Sequence, residues 1–345
     1  MRGNYFLGAD QEKRFEIRQM ELPMPGPGQV LVKNMACGIC GTDVHIYEGG
    51  KGSAEVTPPV VLGHEYAGIV EAVGPGVEDL AVGDHVAIDP NMYCGRCMPC
   101  RMGRKQNCEH LFALGVNVDG GMAEYCLCPQ TQCFPVDKEI PFDHAAMAEP
   151  LACALHGIDR VDIRGGEKVL VVGGGTIGQL MAQLAKLRGA SLVVVSEPIA
   201  HRRELALRLG ADAAIDPTAG DPGAQFKAIS GQEGADIVIE CVGHPRVIAQ
   251  AISLAGRGGK VLLFSVPPVD GTAPLPLFDV YQKELTIYGS MINPDTHQRA
   301  VNLLNSRRLR LDGIITHAYP LDQVEEAIRM QMGSQSIKVV VHPQE

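Results

Sequence analysis

Between Glu167 and Pro198 the order of apolar and polar positions predicts a strand, a turn, a helix and a second strand. Val169 to Val172 is a short all-apolar run, the pattern of a strand buried on both faces of a parallel sheet. Gly173, Gly175 and Gly178 then follow in G-x-G-x-x-G spacing and open a helix that carries Ile177, Leu180, Met181, Leu184 and Leu187 on one face. Leu192 to Val195 is the second strand. The segments "ADAAID", "GADIVIECVGH", "GGKVLLFSVP" and "ELTIYGSMI" continue the alternation, so this part of the chain reads as a doubly wound α/β sheet. The uncharged stretch between Lys168 and Lys186 contains three consecutive glycines and two glutamines, and is read as this strand, turn and helix rather than as a membrane span.

The N-terminal part has a different texture. Glycine and proline punctuate it, as in "PMPGPGQV" and "VGPGVEDLAVGDHVA", which predicts a β-rich region. The 345 residues, 46% hydrophobic and 20% charged, suffice for two cores. A formal charge of −10 without basic runs or interleaved aromatics argues against nucleic-acid binding. The opening "MRGNYFLGADQEKRFEIRQ" has no apolar stretch followed by small residues, so no secretory signal is expected. Eleven cysteines, an odd count, then favour thiols and thiolates in a reducing cytoplasm over a disulfide framework.

Four of those cysteines lie together in "CGRCMPCRMGRKQNC". Cys94, Cys97, Cys100 and Cys108 are separated by two, two and seven residues, and Gly95, Pro99 and Gly103 permit the turns that would aim four sulfurs at one point. Four soft anionic ligands suit zinc. An iron–sulfur cluster is the nearest rival, but its bacterial run has three residues before a last cysteine followed by proline, whereas here seven residues precede Cys108-Glu109. Unliganded thiols are the remaining alternative. An all-thiolate set leaves no position for substrate, so this loop reads as a structural clamp.

The glycine turn has its own chemistry. Glu197 stands at the tip of the second strand, nineteen positions after Gly178, where an acidic side chain can accept hydrogen bonds from the adenosine ribose of a dinucleotide. A solvated loop glutamate is the plain alternative. NAD is therefore expected over NADP, although Arg203 in "SEPIAHRRE" leaves room for a 2′-phosphate.

Taken in order, "CGICGTDVH", "GHEYAGIV", the four-cysteine loop, "AEPLACALHG", "VVGGGTIG" and "IECVG" resemble the zinc-dependent medium-chain dehydrogenase/reductase family, in the branch of polyol (sorbitol-like) and threonine dehydrogenases. The resemblance covers almost the whole chain. It implies a GroES-like β-rich catalytic domain over residues 1–151, a Rossmann coenzyme domain over 152–292, a return to the catalytic domain over 293–345, and an active site in the cleft between them. It implies a catalytic zinc on Cys40 and His64, with Glu65 and Glu149 ligating directly or holding a zinc-bound water. With the four-cysteine loop, that makes two zinc ions per chain. Simple alcohol dehydrogenases have a second cysteine where this chain has Glu149. Cys153 reads as a packed helix residue beside Leu151, Ala154 and Leu155. By the same resemblance Ile177 joins Gly173, Gly175 and Gly178 in binding the coenzyme, Arg202 lies near the ribose, and Val242, Gly243, Ser265, Val266, Met291 and Ile292 border the nicotinamide. A homo-oligomer, dimer or tetramer, is implied as well.

The chemistry then expected is reversible oxidation of a secondary alcohol. Zinc with three protein ligands keeps an open position and lowers the pKa of a bound water from roughly 15.7 to about 7, and an alcohol is acidified in the same way. By resemblance Thr42 receives the proton and His45 passes it toward solvent, with Asp43 holding the turn. The expected substrate is a small-molecule polyol or sugar alcohol, phosphorylated or not. L-threonine 3-dehydrogenase is the alternative within enzymes, and a cofactor-binding structural relative without catalysis, comparable to the family's crystallins, is the alternative outside them.

Overall fold

A computed structural model describes residues 1–50 and 55–345. The chain forms two units, one of Met1–Ala152 with Asn293–Glu345 and the other of Cys153–Ile292. The first unit is built from short strands separated by turns: β1 (Arg2–Phe6), β2 (Phe15–Gln19), β3 (Gln29–Gly38), β4 (Val60–Val61), β5 (Glu65–Val73), β6 (His85–Ile88), β7 (Asn91–Met92), β8 (Phe112–Ala113), β9 (Tyr125–Pro129) and β10 (Cys133–Pro135). Helix α1 (Gly41–Tyr47) follows β3, and the four-residue α2 (Met98–Arg101) sits within the cysteine loop. Helices α3 (Phe142–Ala145) and α4 (Ala148–Val161) follow.

The second unit alternates strands and helices. Its strands are β11 (Lys168–Val172), β12 (Leu192–Ser196), β13 (Ala213–Ile215), β14 (Ala235–Glu240), β15 (Ala255–Leu263) and β16 (Thr286–Gly289), and its helices are α5 (Thr176–Leu187), α6 (Ala200–Arg208), α7 (Pro222–Ser230), α8 (Pro245–Ser253) and α9 (Leu277–Lys283). All neighbouring strands are parallel, in the order β13-β12-β11-β14-β15-β16. Strand order reverses between β11 and β14, the switch point at which such sheets bind ligands beyond their carboxyl ends. The apolar runs are buried throughout, with Val169, Leu170, Val171, Val193, Val194, Val195, Ile237, Val238 and Ile239 all shielded from solvent.

Helix α5 departs from its predicted apolar face. Leu180, Met181 and Leu184 are buried as expected, but Ile177 is half-exposed and Leu187 is 45% exposed, while Gln179 and Gln183 are buried. The glutamines are accommodated by hydrogen bonding: Gln179 Nε2 donates to the Gly174 and Arg202 carbonyls at 2.8 and 2.9 Å. A buried amide that is satisfied in this way can face inward, so the apolar period alone misplaces both ends of the helix.

The chain ends back in the first unit with α10 (His297–Asn305), β17 (Ile315–Pro320), α11 (Val324–Met332) and β18 (Lys338–His342). The seven-stranded sheet there has the order β10-β6-β5-β3-β18-β17, with β9 also on β3. β3 pairs with β5 along its length, and on its other edge with β9 through Gln29–Lys33 and then with β18 at Cys37 and Gly38. The close approach of β3 and β5 depends on Gly68, because a methyl group there would overlap the Lys33 carbonyl oxygen of the facing strand. Gly68→Ala should therefore destabilise this unit by about 1–3 kcal/mol through overpacking. The readout is a lowered urea midpoint, and an unchanged midpoint would show that the two strands part without cost.

Candidate active site and coenzyme seat

The ends of three strands bring one group of polar side chains together in the first unit. β3 leads through Ile39 to Cys40 at the N-terminus of α1, β5 begins at Glu65 just after His64, and β18 begins at Lys338. Ligand atoms of Cys40, His64 and Glu65 all lie within 4.8 Å of one another. Asp43, fully buried, accepts the Cys40 backbone N–H at 2.8 Å, and its other oxygen stands 3.7 Å from His64 Nδ1. Asp43 thus holds the turn and also faces the imidazole, the arrangement by which a carboxylate orients a metal-binding histidine. Glu149, in the first turn of α4, is 6% exposed. It lies outside the close group of three but near enough for its charge to act on His64.

Glu65 is not alone. Its carboxylate is ion-paired with Lys338, both side chains are almost completely buried, and Lys338 Nζ also donates to the Ile39 carbonyl at 2.8 Å. Gly38 makes room for the pair, since a Cβ there would strike Glu65 Oε2 and Lys338 Cε. Nothing in the sequence pattern marks Lys338, because its partner is 273 residues away.

The electrostatics of the group suit a cation. Burial, with the Glu65 charge, pushes the Cys40 thiol up, and burial likewise raises Asp43. Burial opposes charge on His64, yet the thiolate of Cys40 and the carboxylates of Asp43 and Glu149 outweigh it and hold the imidazole well above its ordinary range. Cys40, Asp43 and Glu65 surround one buried ammonium, Lys338, and His64 Nδ1 is buried without a hydrogen bond. A thiolate, an imidazole and carboxylate at this spacing fit zinc.

The four-cysteine loop is a second and separate group. Cys94, Cys97, Cys100 and Cys108 place their sulfurs within 4.8 Å of one another. Gly95 (φ +67°) and Gly103 (φ +73°) supply left-handed turns on either side of α2. Backbone N–H groups point at the sulfurs: Cys97 to Cys94 and Cys94 to Cys108 at 3.3 Å, and His110 to Cys108 at 3.4 Å. The N–H groups of Arg96 and Cys97 hold Cys94 below the usual thiol range, whereas burial and the neighbouring sulfurs push Cys100 up. All eleven cysteines are unbonded to one another, and this cluster fits a closed tetrahedral zinc.

Thr42 and His45 lie three positions apart on α1, hence on one side of the helix, with Thr42 buried and His45 half-exposed. That is the order in which a proton would travel outward.

In the second unit each glycine of the turn has a distinct task. Gly173 adopts φ +103°, a Cβ on Gly178 would overlap the Gly173 carbonyl, and Gly175 faces open space at the start of α5. No side chain caps the start of that helix, the end at which such folds hold a pyrophosphate. Glu197, 4% exposed, accepts the N–H of Gly174 at 2.6 Å and that of Ile199 at 2.9 Å. Val242–Gly243, Ser265–Val266 and Met291–Ile292 follow the carboxyl ends of the adjacent strands β14, β15 and β16. Sequence reasoning missed Glu240. It is fully buried at the end of β14 and accepts the N–H groups of Val242 and Gly243 at 2.6 and 2.7 Å, and burial raises its pKa. The acid in "IECVG" was its signal. Cys153 is half-buried on α4, among the fully buried Leu151, Ala154 and Leu155.

A thiolate-imidazole metal group in a β-rich unit, joined to a doubly wound coenzyme unit, defines a zinc-dependent oxidoreductase. Comparison with known proteins agrees. The alcohol dehydrogenase GroES-like domain matches residues 26–138 and the zinc-binding dehydrogenase domain matches residues 176–306. The L-threonine 3-dehydrogenase of Pyrococcus horikoshii is 38% identical over 94% of each chain, and D-arabinitol dehydrogenase 1 of Uromyces fabae is 32% identical over 98% of this chain and 96% of its own. A crystal structure from Sinorhizobium meliloti 1021, described as a zinc-binding dehydrogenase bound to NADP, is 40% identical with a TM-score of 0.92 over 99% of each chain. The chain belongs to the zinc-dependent medium-chain alcohol dehydrogenase family, oxidoreductases that act on CH–OH groups. Among the described residues no helix is long and apolar enough to cross a membrane.

Metal analysis of the pure protein should find about two zinc per chain, one for each ligand group. Cys40→Ser should retain about one, stay folded and bind coenzyme, but not turn over. Cys100→Ser should impair folding. Near-normal activity in Cys40→Ser would remove Cys40 from the catalytic set.

Proposed function

We propose that this protein oxidises a secondary alcohol whose neighbouring carbon carries a second polar group, with L-threonine as the leading substrate and NAD as hydride acceptor. The alcohol loses its carbinol hydrogen as hydride and its hydroxyl hydrogen as a proton, giving a ketone and NADH. The observation that carries the reading is the close Cys40–His64–Glu65 group in a chain 38% identical to a threonine dehydrogenase over nearly its full length. When bound, zinc supplies Lewis-acid polarisation of the hydroxyl, and the dinucleotide supplies the acceptor. Cys40 and His64 hold the metal, Asp43 fixes the imidazole, and Thr42 and His45 carry the proton away. Glu65, paired with Lys338, and Glu149 are the carboxylates beside the metal.

The relatives favour threonine over the polyol that Glu149 suggests on its own. A carboxylate at this place accepts a hydrogen bond from a vicinal hydroxyl, and it equally pairs with the ammonium of an amino acid, so Glu149 does not choose between them. Resemblance to a D-arabinitol dehydrogenase supports the polyol as a second reading. Glu197 supports NAD, since a 2′-phosphate beside it would meet like charge at a cost of ~2 kcal/mol or more.

We also infer a homo-oligomer formed through the coenzyme unit. Leu277, Phe278 and Tyr281 of α9 are 73, 67 and 80% exposed, and β16 is an open sheet edge. Sedimentation at micromolar concentration should show a dimer or larger, and Tyr281→Arg should shift it toward monomer. A monomeric wild type would sink this assignment.

Initial rates with L-threonine, D-arabinitol, sorbitol, 2-butanol and ethanol form the main test. L-threonine should give the highest kcat/KM, and 2-butanol, lacking the second polar group, should be poorer by ~100-fold or more. Preference for D-arabinitol would install the polyol reading, and preference for ethanol would end both. NAD should exceed NADP by about 30-fold, the equivalent of the like-charge cost.

A further inference from the structure

The turn between β12 and α6 is closed from several sides. Glu197 uses one oxygen on Gly174 N–H and the other on Ile199 N–H. Arg203, in the first turn of α6, donates from Nη1 to the Glu197 and Pro198 carbonyls at 2.7 Å each. The same nitrogen lies 3.1 Å from Asp216 Oδ2, and the two side chains are only 22% and 25% exposed.

Asp216 is itself held. It is the first residue after β13, whose end is tied to the tip of β12 through Ser196 opposite Ile215 and the Glu197 N–H to Ile215 carbonyl bond of 3.0 Å. Its Oδ1 accepts from Thr218 N at 2.9 Å and from Thr218 Oγ1 at 2.6 Å, and Gln225 Nε2 donates to its carbonyl at 2.8 Å. One oxygen is thus anchored by Thr218 while the other faces the guanidinium.

We propose that Asp216 sets the choice between dinucleotides by neutralising Arg203 and holding its guanidinium on the 197–198 backbone, away from a 2′-phosphate. A 2′-phosphate beside Glu197 needs an unneutralised guanidinium fork. With Asp216 ionised, its carboxylate already neutralises the Arg203 guanidinium and the phosphate gains no net attraction. Without that charge, Arg203 becomes a phosphate ligand. The proposal rests on the reading that Glu197 marks the ribose end of the coenzyme seat.

The experiment is calorimetric titration of the full-length zinc-loaded protein with adenosine 5′-monophosphate and with adenosine 2′,5′-bisphosphate, which report the ribose end without turnover. Asp216→Asn keeps the side-chain shape and a Thr218 hydrogen bond while removing the charge. It should improve the affinity ratio for the bisphosphate over the monophosphate by at least about tenfold relative to wild type, the size of one charge-assisted hydrogen bond. Adding Arg203→Gln should abolish that gain. An unchanged ratio in folded Asp216→Asn, or a gain that survives Arg203→Gln, overturns the proposal. If Asp216→Asn does not fold, Asp216→Ser is measured against the same criterion. The NAD reading fails separately if wild type binds the bisphosphate as tightly as the monophosphate, because the variant's gain is measured against that wild-type ratio.

Discussion

The catalytic unit is organised around a buried ion pair. Glu65 and Lys338 meet where β3, β5 and β18 come together, next to Cys40 and His64. Charges withdrawn from water are tolerated only when closely paired and hydrogen-bonded, and Lys338 meets this condition with the Ile39 carbonyl as an additional partner. Gly38 is bare because the pair occupies the space of its side chain. Loss of Lys338 would strand Glu65 beside Cys40 and the Asp43 carboxylate, a fault of several kcal/mol. The strand ends that carry the metal group are therefore registered by electrostatics as well as by backbone hydrogen bonds.

How much of this was legible in the sequence follows from distance along the chain. The glycine turn, the strand before it and the four cysteines are local patterns, and each residue's partner lies within a few tens of positions. Asp43 was legible only in half: its bond to the Cys40 N–H is a turn feature, while its approach to His64 depends on the β3–β5 pairing. Lys338 carries no local signal at all, and Asp216, although close to Arg203 in the sequence, has nothing in the pattern to pair the two. Their meaning comes from what folding sets opposite them, Glu65 in one case and Arg203 in the other. Ile177 and Leu187 show the reverse error, a clean apolar period undone by two glutamines whose hydrogen-bond partners the pattern does not display.

The two metal groups illustrate opposite uses of one element. In the cysteine loop the sulfurs are the core: Cys97, Cys100 and Cys108 are buried with little beside them but Tyr93 and Leu111, and α2 is a single turn. Apolar burial there is small, so a metal held by the four sulfurs would couple its binding to folding of the loop. Around Cys40 the frame is a broad apolar core that includes Leu62, Tyr66 and Val339. A site made rigid by its surroundings can leave one metal position to the reaction.

The split of the catalytic unit around the coenzyme unit has a consequence for the order of biosynthesis. Cys40, His64 and Glu149 leave the ribosome early, and residues 153–292 are complete before the last 53 residues of the chain, Asn293–Glu345, begin to emerge. Domains fold largely as they are made. Until β18 arrives, Glu65 has no countercharge and β3 lacks the neighbour that its Cys37–Gly38 segment requires. The nascent chain thus carries its doubly wound unit before its Cys40–His64–Glu65 group can close, and a ribosome that stalls within α11 releases a protein with that group but without the lysine that pairs with Glu65.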